Sequence, residues 1–291
     1  MRSNLRRFTL EAPGELKAVH RLVGDEPGRW RPFAGGTDLM VLLEAGTLPP
    51  GKYVSIWGLS DLRGIAVSAE EVSLGAVTTY TDLLSHPVLQ TEFPLLCAAA
   101  RQTGGVATQN RGTIGGNIAN ASPAADSPPA LLVYDAELEL GSTRGVRRVP
   151  YDGFHSAYKV MNLAPDEIIQ RVILPRRRAR WRQSYRKIGT RGAQAISKVC
   201  FAAAVELEGP AIRDVRVALG SVAPTVVRGT HAESALRGRA LDRDLPAAAA
   251  AALALDIAPI DDLRSTARYR TRVAQNLLIQ FLTELLSGRP H

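Results

Sequence analysis

Apolar and polar residues alternate in four short segments of the chain, with the period of two that is typical of half-buried β-strands. The segments are Glu71–Val77, Ala136–Leu140, Glu167–Pro175 and Arg213–Val222. Helical stretches fall between them, but without the regular strand–helix alternation of a Rossmann domain. The pattern therefore predicts an α+β or mixed α/β fold.

Three segments carry signals for the start or the face of a helix. Thr79 occupies an N-cap position, and the carboxylate of Asp82 follows in the first turn. Pro246 lies near the first turn of an alanine-rich segment, residues 244–255. The last helix is the clearest, because its apolar side chains recur every four residues, at Val273, Leu277, Phe281 and Leu285.

Length and composition narrow the class of protein. The chain has 291 residues, 45% of them hydrophobic, which is enough for two or three domains or subdomains. No apolar run approaches the roughly 20 residues that cross a bilayer, and the first 16 residues lack the apolar region of a secretory signal. Cys97 and Cys200 lie in no CxxC motif, and the five histidines have no metal-ligand spacing. We therefore expect a cytoplasmic protein without a membrane span, a disulfide framework or a metal site.

A change in composition after Pro175 predicts the main domain boundary. The first domain spans residues 1–176 and divides near Trp57–Asp61 into subdomains of about 1–58 and 59–176. The second, smaller α+β domain spans residues 181–288, with its main elements between Tyr185 and Leu286.

The net charge of +8 is concentrated in the run Arg176–Lys187. A solvated hinge after a strand explains this run as well as a binding function would. Trp181 and Tyr185 within it are the aromatic residues that a nucleic-acid surface would use. Docking to an acidic subunit and contact with a cofactor phosphate are the other interpretations.

Two glycine pairs are the best candidates for a ligand site. No GxGxxG motif occurs, and "GTLPPGKY" at residues 46–53 lacks the hydroxyl residue of a P-loop and has two prolines that cannot donate amides. "RPFAGGTDLM" starts at Arg31, and "RGTIGGNIANASPAADSPP" starts at Arg111. Glycine allows a backbone to approach a ligand closely, so that consecutive amides can converge on an anion. The two loops are therefore either a cradle for a dinucleotide pyrophosphate or two ordinary turns.

The same residues resemble a known family. "FAGGTDLMVLLEAG", "RQTGGVATQNRGTIGGNIANASPAADSPPALLVYDAELEL" and the C-terminal "DDLRSTARYRTRVAQNLLIQFL" look like the FAD-binding medium subunit of the molybdenum hydroxylases, the xanthine dehydrogenase and carbon monoxide dehydrogenase family. The resemblance covers nearly the whole chain. It implies an α+β fold with a PCMH-type (vanillyl-alcohol-oxidase-like) FAD-binding domain of two subdomains. A C-terminal α+β domain like that of the carbon monoxide dehydrogenase flavoprotein would follow.

The resemblance also implies which residues bind FAD. The first loop would wrap the pyrophosphate with Pro32, Phe33, Ala34, Gly35, Gly36, Thr37, Asp38 and Leu39. The second would close on the same phosphates with Thr113, Ile114, Gly115, Gly116 and Asn117. Contacts nearer the flavin would come from Thr103, Asp126, Ile169, Lys187 and Ile196, with Lys198 in the same loop as Ile196. Two alternatives stay open: Asp126 and Lys187 as a structural ion pair, and Asn120, Ser122 and Pro123 as a turn that closes the loop.

By the same resemblance, the chain carries FAD and no catalytic acid or base. A large molybdopterin subunit would oxidise the substrate, and a small [2Fe–2S] subunit would relay the electrons to this chain. FAD would pass them to an acceptor such as NAD or another carrier. The subtype looks most similar to the medium subunits of bacterial xanthine-dehydrogenase-like enzymes. The alternatives are a stand-alone flavin oxidoreductase of the same PCMH-type fold and a basic nucleic-acid-binding module.

Overall fold

A computed structural model describes residues 5–192 and 194–287. The strands are β1 (Phe8–Glu11), β2 (Trp30–Phe33), β3 (Gly51–Ser55), β4 (Ile65–Val67), β5 (Glu71–Gly75), β6 (Glu137–Ser142), β7 (Gly145–Pro150), β8 (His155–Ala157), β9 (Val160–Met161), β10 (Ile168–Pro175), β11 (Arg182–Ile188), β12 (Val199–Glu208), β13 (Ala211–Gly220) and β14 (Val227–Arg228). The helices are α1 (Leu16–Asp25), α2 (Leu39–Glu44), α3 (Tyr80–Ser85), α4 (Pro87–Glu92), α5 (Pro94–Gln102), α6 (Val106–Gln109), α7 (Ile114–Ala119), α8 (Pro128–Val133), α9 (Thr230–Leu236), α10 (Leu245–Leu253) and α11 (Ala267–Leu286).

The N-terminal sheet is parallel and small. Its strand order is β1-β3-β2. Val19 and Val23 of α1 are four residues apart, so they lie on one face of the helix and pack with Trp30 and Val54 in a separate apolar cluster. The carboxyl end of β2 leads directly into the first glycine pair, so this sheet sets where that loop starts.

The second sheet is antiparallel and has the strand order β4-β5-β10-β6-β7. β10 lies in the middle, paired with β5 on one side and β6 on the other. Helices α3, α4, α5 and α8 contribute to the apolar core that this sheet shares. The second glycine pair lies in α7, which packs near β10.

The third sheet, β11-β12-β13-β14, packs against an apolar core on each face, and its strand β12 is the most deeply buried. Successive side chains of a strand point to opposite faces, so one strand can serve two cores. Cys200, Ala202 and Ala204 of β12 join the core of the second sheet, whereas Val199 and Phe201 join the core formed with α9, α10 and α11. Small side chains on the first face let helix α8 approach β12 and β13 closely.

The predicted elements are confirmed with shifts of a few residues at their ends. The four predicted strands correspond to β5, β6, β10 and β13, and the alanine-rich and C-terminal helices to α10 and α11. Thr79 and Asp82 form a reciprocal capping box at the start of α3. The segment from Thr79 to Leu89 is not one helix, however. The helix ends at His86, whose ψ is 120°, because the ring of Pro87 disfavours the helical conformation in the residue that precedes it.

The basic run is less exposed than a solvated hinge would be. Arg176 forms an ion pair with Glu92 at 2.5 Å. Arg178 is only 6% exposed and pairs with Asp135, so the interpretation of residues 176–180 as plain solvated surface is wrong at this position. Residues 182–188 form β11, in which Arg182 and Arg186 are exposed and Ser184 and Tyr185 are buried. Part of this charge is therefore paired inside the protein, whereas Arg177, Arg180 and Arg182 are exposed.

The antiparallel sheets and separate helices confirm the α+β class. None of the helices that the structure describes is long and apolar enough to cross a membrane. Within residues 5–192 and 194–287, no group of three or more His, Cys, Asp or Glu side chains could hold a metal ion. Cys97 and Cys200 are both free and buried. The division near Trp57–Asp61 and the boundary after Pro175 stay predictions about independent domains.

Candidate functional site: two glycine loops and a buried ion pair

The first glycine loop connects β2 to α2 and is partly exposed. Gly36 has φ +80°, a backbone conformation that residues other than glycine rarely adopt. Its carbonyl accepts a hydrogen bond from Met40, which starts the helix. Among the residues with described positions, none accepts a hydrogen bond from the backbone amides of Gly35, Gly36, Thr37 or Asp38. Four consecutive donors are therefore available to a ligand.

Gly35 lies directly against the second loop. A Cβ atom at Gly35 would come within 1.6 Å of the carbonyl oxygen of Arg111. The Arg111 guanidinium folds back and donates through Nε to the Gly35 carbonyl at 3.4 Å. Its Cζ also lies 4.0 Å from the centre of the Trp57 ring, a cation–π contact. Only glycine fits at position 35, because the two loops touch there backbone to backbone.

In the second glycine loop the amides are already used. Gly115 donates to the carbonyl of Ala76 at 2.9 Å, and Ile114 donates to that of Thr78 at 3.1 Å. Thr113 is the N-cap of α7, so its hydroxyl accepts from Gly116 and its carbonyl accepts from Asn117. Thr113, Ile114 and Gly115 are buried, whereas Gly116 is exposed. This loop forms a rigid wall, and Gly116 and Asn117 are its accessible part.

Two features of these loops fit a bound group. The side-chain oxygen of Asn117 is buried and has no hydrogen-bond partner among the described residues. A Cβ atom at Gly115 would lie 2.6 Å from that of Ala76, so α7 packs against the end of β5 as tightly as glycine allows. An unsatisfied oxygen and a row of free amides are what a polar ligand would complete.

A second link joins the two loops through Asn120 and Lys159, neither of which is among the predicted cofactor-binding residues. Asn120 Nδ2 lies 3.5 Å from Asp38 Oδ1. Lys159, in the turn between β8 and β9, donates to both oxygens of Asn120, at 2.5 Å to the carbonyl and 2.6 Å to Oδ1. Asn120 therefore lies at the turn after α7 and connects the two loops, and both alternatives for it, a turn that closes the loop and a cofactor contact, stay open. Lys159 carries no local signal in the sequence, whereas Arg111 begins the second motif and is not among the predicted site residues.

Asp126 and Lys187, both predicted to contact the cofactor, form the ion pair that was the alternative for them; their contact with the cofactor stays a prediction. Their Oδ2 and Nζ atoms are 2.7 Å apart, and both side chains are nearly buried. Burial raises the pKa of Asp126, and the Lys187 ammonium opposes this rise. Ser197 donates to the other carboxylate oxygen at 2.8 Å, and Lys187 also donates to the Gln102 carbonyl at 3.0 Å. Lys187 therefore ties β11 to the end of α5 and to the segment before α8.

The remaining predicted contacts lie around this ion pair or in the core. Thr103 follows α5 directly after Gln102, and its hydroxyl donates to the Ala99 carbonyl. Ile196 is 55% exposed in the loop before β12, a high value for isoleucine. Ile169, on β10, is 6% exposed and joins the core of the second sheet. Thr103 and Ile196 are thus reachable from solvent, whereas Ile169 is almost entirely covered.

Family models match both parts of the chain. The FAD binding domain in molybdopterin dehydrogenase matches residues 6–177, and the CO dehydrogenase flavoprotein C-terminal domain matches residues 183–285.

Similar proteins and structures agree with these matches. The chain is 33% identical over 269 residues to the putative xanthine dehydrogenase FAD-binding subunit of Escherichia coli (strain K12), covering 92% of each chain. It is 30% identical over 272 residues to the carbon monoxide dehydrogenase medium chain of Hydrogenophaga pseudoflava, covering 94% of each.

A structure of carbon monoxide dehydrogenase from Hydrogenophaga pseudoflava superposes with a TM-score of 0.91 at 31% identity, covering 95% of this chain and 96% of that one. A structure of quinoline 2-oxidoreductase from Pseudomonas putida 86 superposes with a TM-score of 0.89 at 26% identity, covering 98% of both. These matches confirm the expected fold class, FAD as the cofactor and oxidoreductase as the enzyme class. The chain belongs to the family of FAD-binding medium subunits of the molybdenum hydroxylases, the xanthine dehydrogenase and carbon monoxide dehydrogenase family.

Proposed function

We propose that this chain is the electron-transfer flavoprotein subunit of a three-part molybdenum hydroxylase. It would take electrons from a small [2Fe–2S] subunit, which receives them from a large molybdopterin subunit. An external acceptor, such as NAD or another carrier, would then take them from FAD. The observation that carries the proposal is the row of free amides at Gly35–Asp38 in a chain of this family.

The first loop is the proposed pyrophosphate site. A dinucleotide pyrophosphate carries two negative charges, and consecutive amide donors at a turn are suited to such an anion. The Thr37 side chain is exposed and adds a hydroxyl beside these amides. Pro32, Phe33, Ala34 and Leu39 hold the two ends of the loop, and Asp38 is oriented by Asn120. The Arg111 guanidinium supplies positive charge next to Gly35.

The second loop is the proposed wall of the same site. The amides of Ile114 and Gly115 hold α7 against β5, which leaves Gly116 and Asn117 to face the cofactor. The unpartnered oxygen of Asn117 is the acceptor that a hydroxyl or ring N–H of the cofactor would satisfy. This loop would therefore shape the site more than it would donate to phosphate.

Around the flavin, we propose a role for the residues near the Asp126–Lys187 ion pair. FAD supplies the redox chemistry, and the protein supplies placement and electrostatics. Lys187 is neutralised by Asp126 at 2.7 Å, so the pair adds a dipole rather than a free charge. Ile196 and Thr103 are the accessible side chains on either side of it. Ile169 would contact the cofactor only through the small part of its surface that is exposed.

The partner subunits are proposed from the names of the relatives. The E. coli relative is a FAD-binding subunit, and the Hydrogenophaga relative is the medium chain of its enzyme. The superposed structure of that enzyme is described as lacking the Mo-pyranopterin moiety of the molybdenum cofactor, so the intact cofactor has that moiety. The same division of cofactors would place molybdopterin and [2Fe–2S] on other chains here. The cytoplasmic location and the acceptor stay predictions.

Two measurements on the purified chain and on its complex test this function. The desalted chain should show the absorption bands of oxidised flavin and release about one FAD per chain on denaturation. Expressed with its neighbouring genes, it should co-purify with a [2Fe–2S] protein and a molybdopterin protein. A dye acceptor should be reduced by substrate only in the complete complex. Turnover of a substrate by the isolated chain would instead favour the stand-alone flavin oxidoreductase.

A further inference from the structure

Arg270 is an arginine buried at the start of α11, with 3% of its surface exposed. One terminal nitrogen, Nη1, donates to two backbone carbonyls, that of Lys198 at 2.7 Å and that of Ser221 at 3.0 Å. The other, Nη2, donates to Asp262 Oδ1 at 2.7 Å. One side chain therefore joins three separate segments of the second domain.

The polar contacts continue from these carbonyls to the ion pair at Asp126. Ser221 Oγ donates to the Ser197 carbonyl at 3.0 Å, and Ser197 Oγ donates to Asp126 Oδ1 at 2.8 Å. Ser197 and Lys198 directly follow Ile196, the accessible residue of this loop. The backbone just after Ile196 is thus fixed from one side by Arg270 and from the other by Asp126.

Asp262 in turn holds Arg270 in place. Its carboxylate accepts from the backbone amides of Arg264 at 2.8 Å and Ser265 at 3.0 Å, besides Arg270. Burial acts to raise the pKa of Asp262, but these hydrogen bonds and the Arg270 charge outweigh it and lower the pKa to about 2. The carboxylate is therefore ionised at neutral pH, as a partner for a buried guanidinium must be.

Ser221 shows that this arrangement holds backbone strain. It has φ +66°, which is unfavourable for a residue with a side chain, and its amide donates to the Pro123 carbonyl at 2.8 Å. Such a conformation persists only where its surroundings fix it, and Arg270 supplies the hydrogen bond at the Ser221 carbonyl. The loop before β12 is thereby tied to the segment that follows α7.

We propose that Arg270 is a positioning residue that sets the loop carrying Ile196 against the flavin. This inference rests on the proposed function, since it assumes that Ile196 lies beside the cofactor. Arg270 itself touches no reacting atom; it acts through the carbonyl of Lys198. A planar guanidinium can hold two carbonyls and a carboxylate at fixed angles, whereas the single ammonium of lysine cannot hold all three at those angles.

The test compares Arg270→Met and Arg270→Lys with Arg268→Met in the full-length chain. Arg268 lies on the same helix but is exposed, so its loss serves as the matched control. Amide hydrogen exchange is measured on the FAD-free chain, and visible circular dichroism of the flavin is measured on the FAD-bound chain. We expect about tenfold faster exchange in Arg270→Met at the amides of Lys198 and Ser221, which donate to the carbonyls of Ile188 and Pro123, because both residues lose a hydrogen bond from a charged group at their own carbonyls. Arg270→Lys should be intermediate, and Arg268→Met unchanged.

The FAD-bound samples separate this inference from the proposed function. Arg270→Met should keep FAD, because the glycine loops are untouched, but its flavin dichroism should change while that of Arg268→Met does not. If both Arg270 variants have the control's dichroism, or if exchange rises evenly across the chain, Arg270 is only a stabilising residue and the inference fails alone. A wild-type chain that binds no FAD would overturn the proposed function and this inference together.

Discussion

The two glycine loops have similar sequences but differ in what their backbones do. In the first loop, the amides from Gly35 to Asp38 have no acceptor among the described residues. In the second, the amides of Ile114 and Gly115 are taken by the carbonyls of Thr78 and Ala76. Thr37 is exposed, whereas Thr113 is buried and caps a helix. The difference shows that a glycine pair beside a threonine can serve either as a donor surface or as a tightly packed wall.

The second loop nonetheless decides where the first one lies. The Arg111 carbonyl lies against the α-carbon of Gly35, so the two backbones touch there. Arg111 Nε also donates a hydrogen bond to the Gly35 carbonyl. Asn120 and Lys159 add a polar connection at the other end, at Asp38. A donor surface with no internal hydrogen bonds would otherwise be free to move. The wall therefore preorganises the loop that we propose as the anion site.

The largest effect should come from Gly35→Ala. The new Cβ would overlap the Arg111 carbonyl oxygen at 1.6 Å, far inside the 3.0 Å that real Cβ atoms respect, so the loops must separate. We expect the purified variant to retain no FAD after desalting. Gly58→Ala is the control, because nothing lies within 4 Å of its Cβ position. A folded Gly35→Ala protein with normal flavin content would show that the loops need not touch.

Gly36→Ala should have a smaller effect, which combines backbone strain with crowding of the Phe33 ring, 3.0 Å from the new Cβ position. Its φ of +80° costs a residue with a side chain about 1–2 kcal/mol, and relief of that strain would turn the neighbouring amides away from the ligand. We expect the FAD dissociation constant to rise about tenfold, which is about 1.4 kcal/mol, in a fluorescence titration. Gly46→Ala, at φ +71° with no atoms near its Cβ position, should lose similar stability with unchanged FAD affinity. Equal losses of affinity in both variants would contradict the account.

The two threonines should separate stability from binding. Thr113→Ala removes the N-cap of α7 and should lower the free energy of unfolding by about 1 kcal/mol, measured in urea on the FAD-free chain. Thr37→Ala should leave that free energy unchanged but weaken FAD binding by a few fold, about 0.5–1.5 kcal/mol for one hydrogen bond. Thr113→Ser should restore the cap. If Thr37→Ala instead lowered the stability and Thr113→Ala mainly weakened FAD binding, the roles given to the two loops would be wrong.

Arg111→Met should have the smallest effect. It removes a long hydrogen bond of 3.4 Å and a stacking contact with Trp57, together worth about 0.5–1 kcal/mol at a partly exposed site. FAD affinity should fall modestly and become less dependent on salt, because a charge near the phosphates is lost. Arg101→Met, a substitution at an exposed arginine of α5, is the control. An unchanged salt dependence would place Arg111 too far from the phosphates to matter.

The sequence predicted features that depend on near neighbours in the chain. The capping box of Thr79 and Asp82 spans three residues, and the repeat of α11 is set by its own periodicity. It also flagged both glycine loops, because glycine pairs beside hydroxyl residues are a local pattern. The pattern alone predicted an α+β or mixed α/β fold, and the resemblance to a family supplied FAD and the particular kind of FAD-binding domain.

Features that depend on distant neighbours were not predictable in the same way. Whether a backbone amide is free depends on which carbonyl groups the fold brings beside it. Nothing in "TIGGN" indicates that the carbonyl of Ala76, directly after β5, accepts a hydrogen bond from Gly115. Arg178 was interpreted as solvated charge, and no pattern indicated burial of Arg270, but both are buried among carboxylates and carbonyls. Lys159 meets Asn120 across 39 residues of chain. Such contacts follow from the packing of the sheets and not from any one segment.

The difference between the loops is tested most directly by the backbone amide signals of the chain labelled with ¹⁵N-glycine, which has 25 glycines, recorded during titration with FAD. The amide protons of Gly35 and Gly36 should shift downfield on binding, as free donors do when they acquire a phosphate acceptor. Gly115 should barely move, because its amide already donates to Ala76 at 2.9 Å. Static signals from Gly35 and Gly36 beside a large downfield shift at Gly115 would contradict the account.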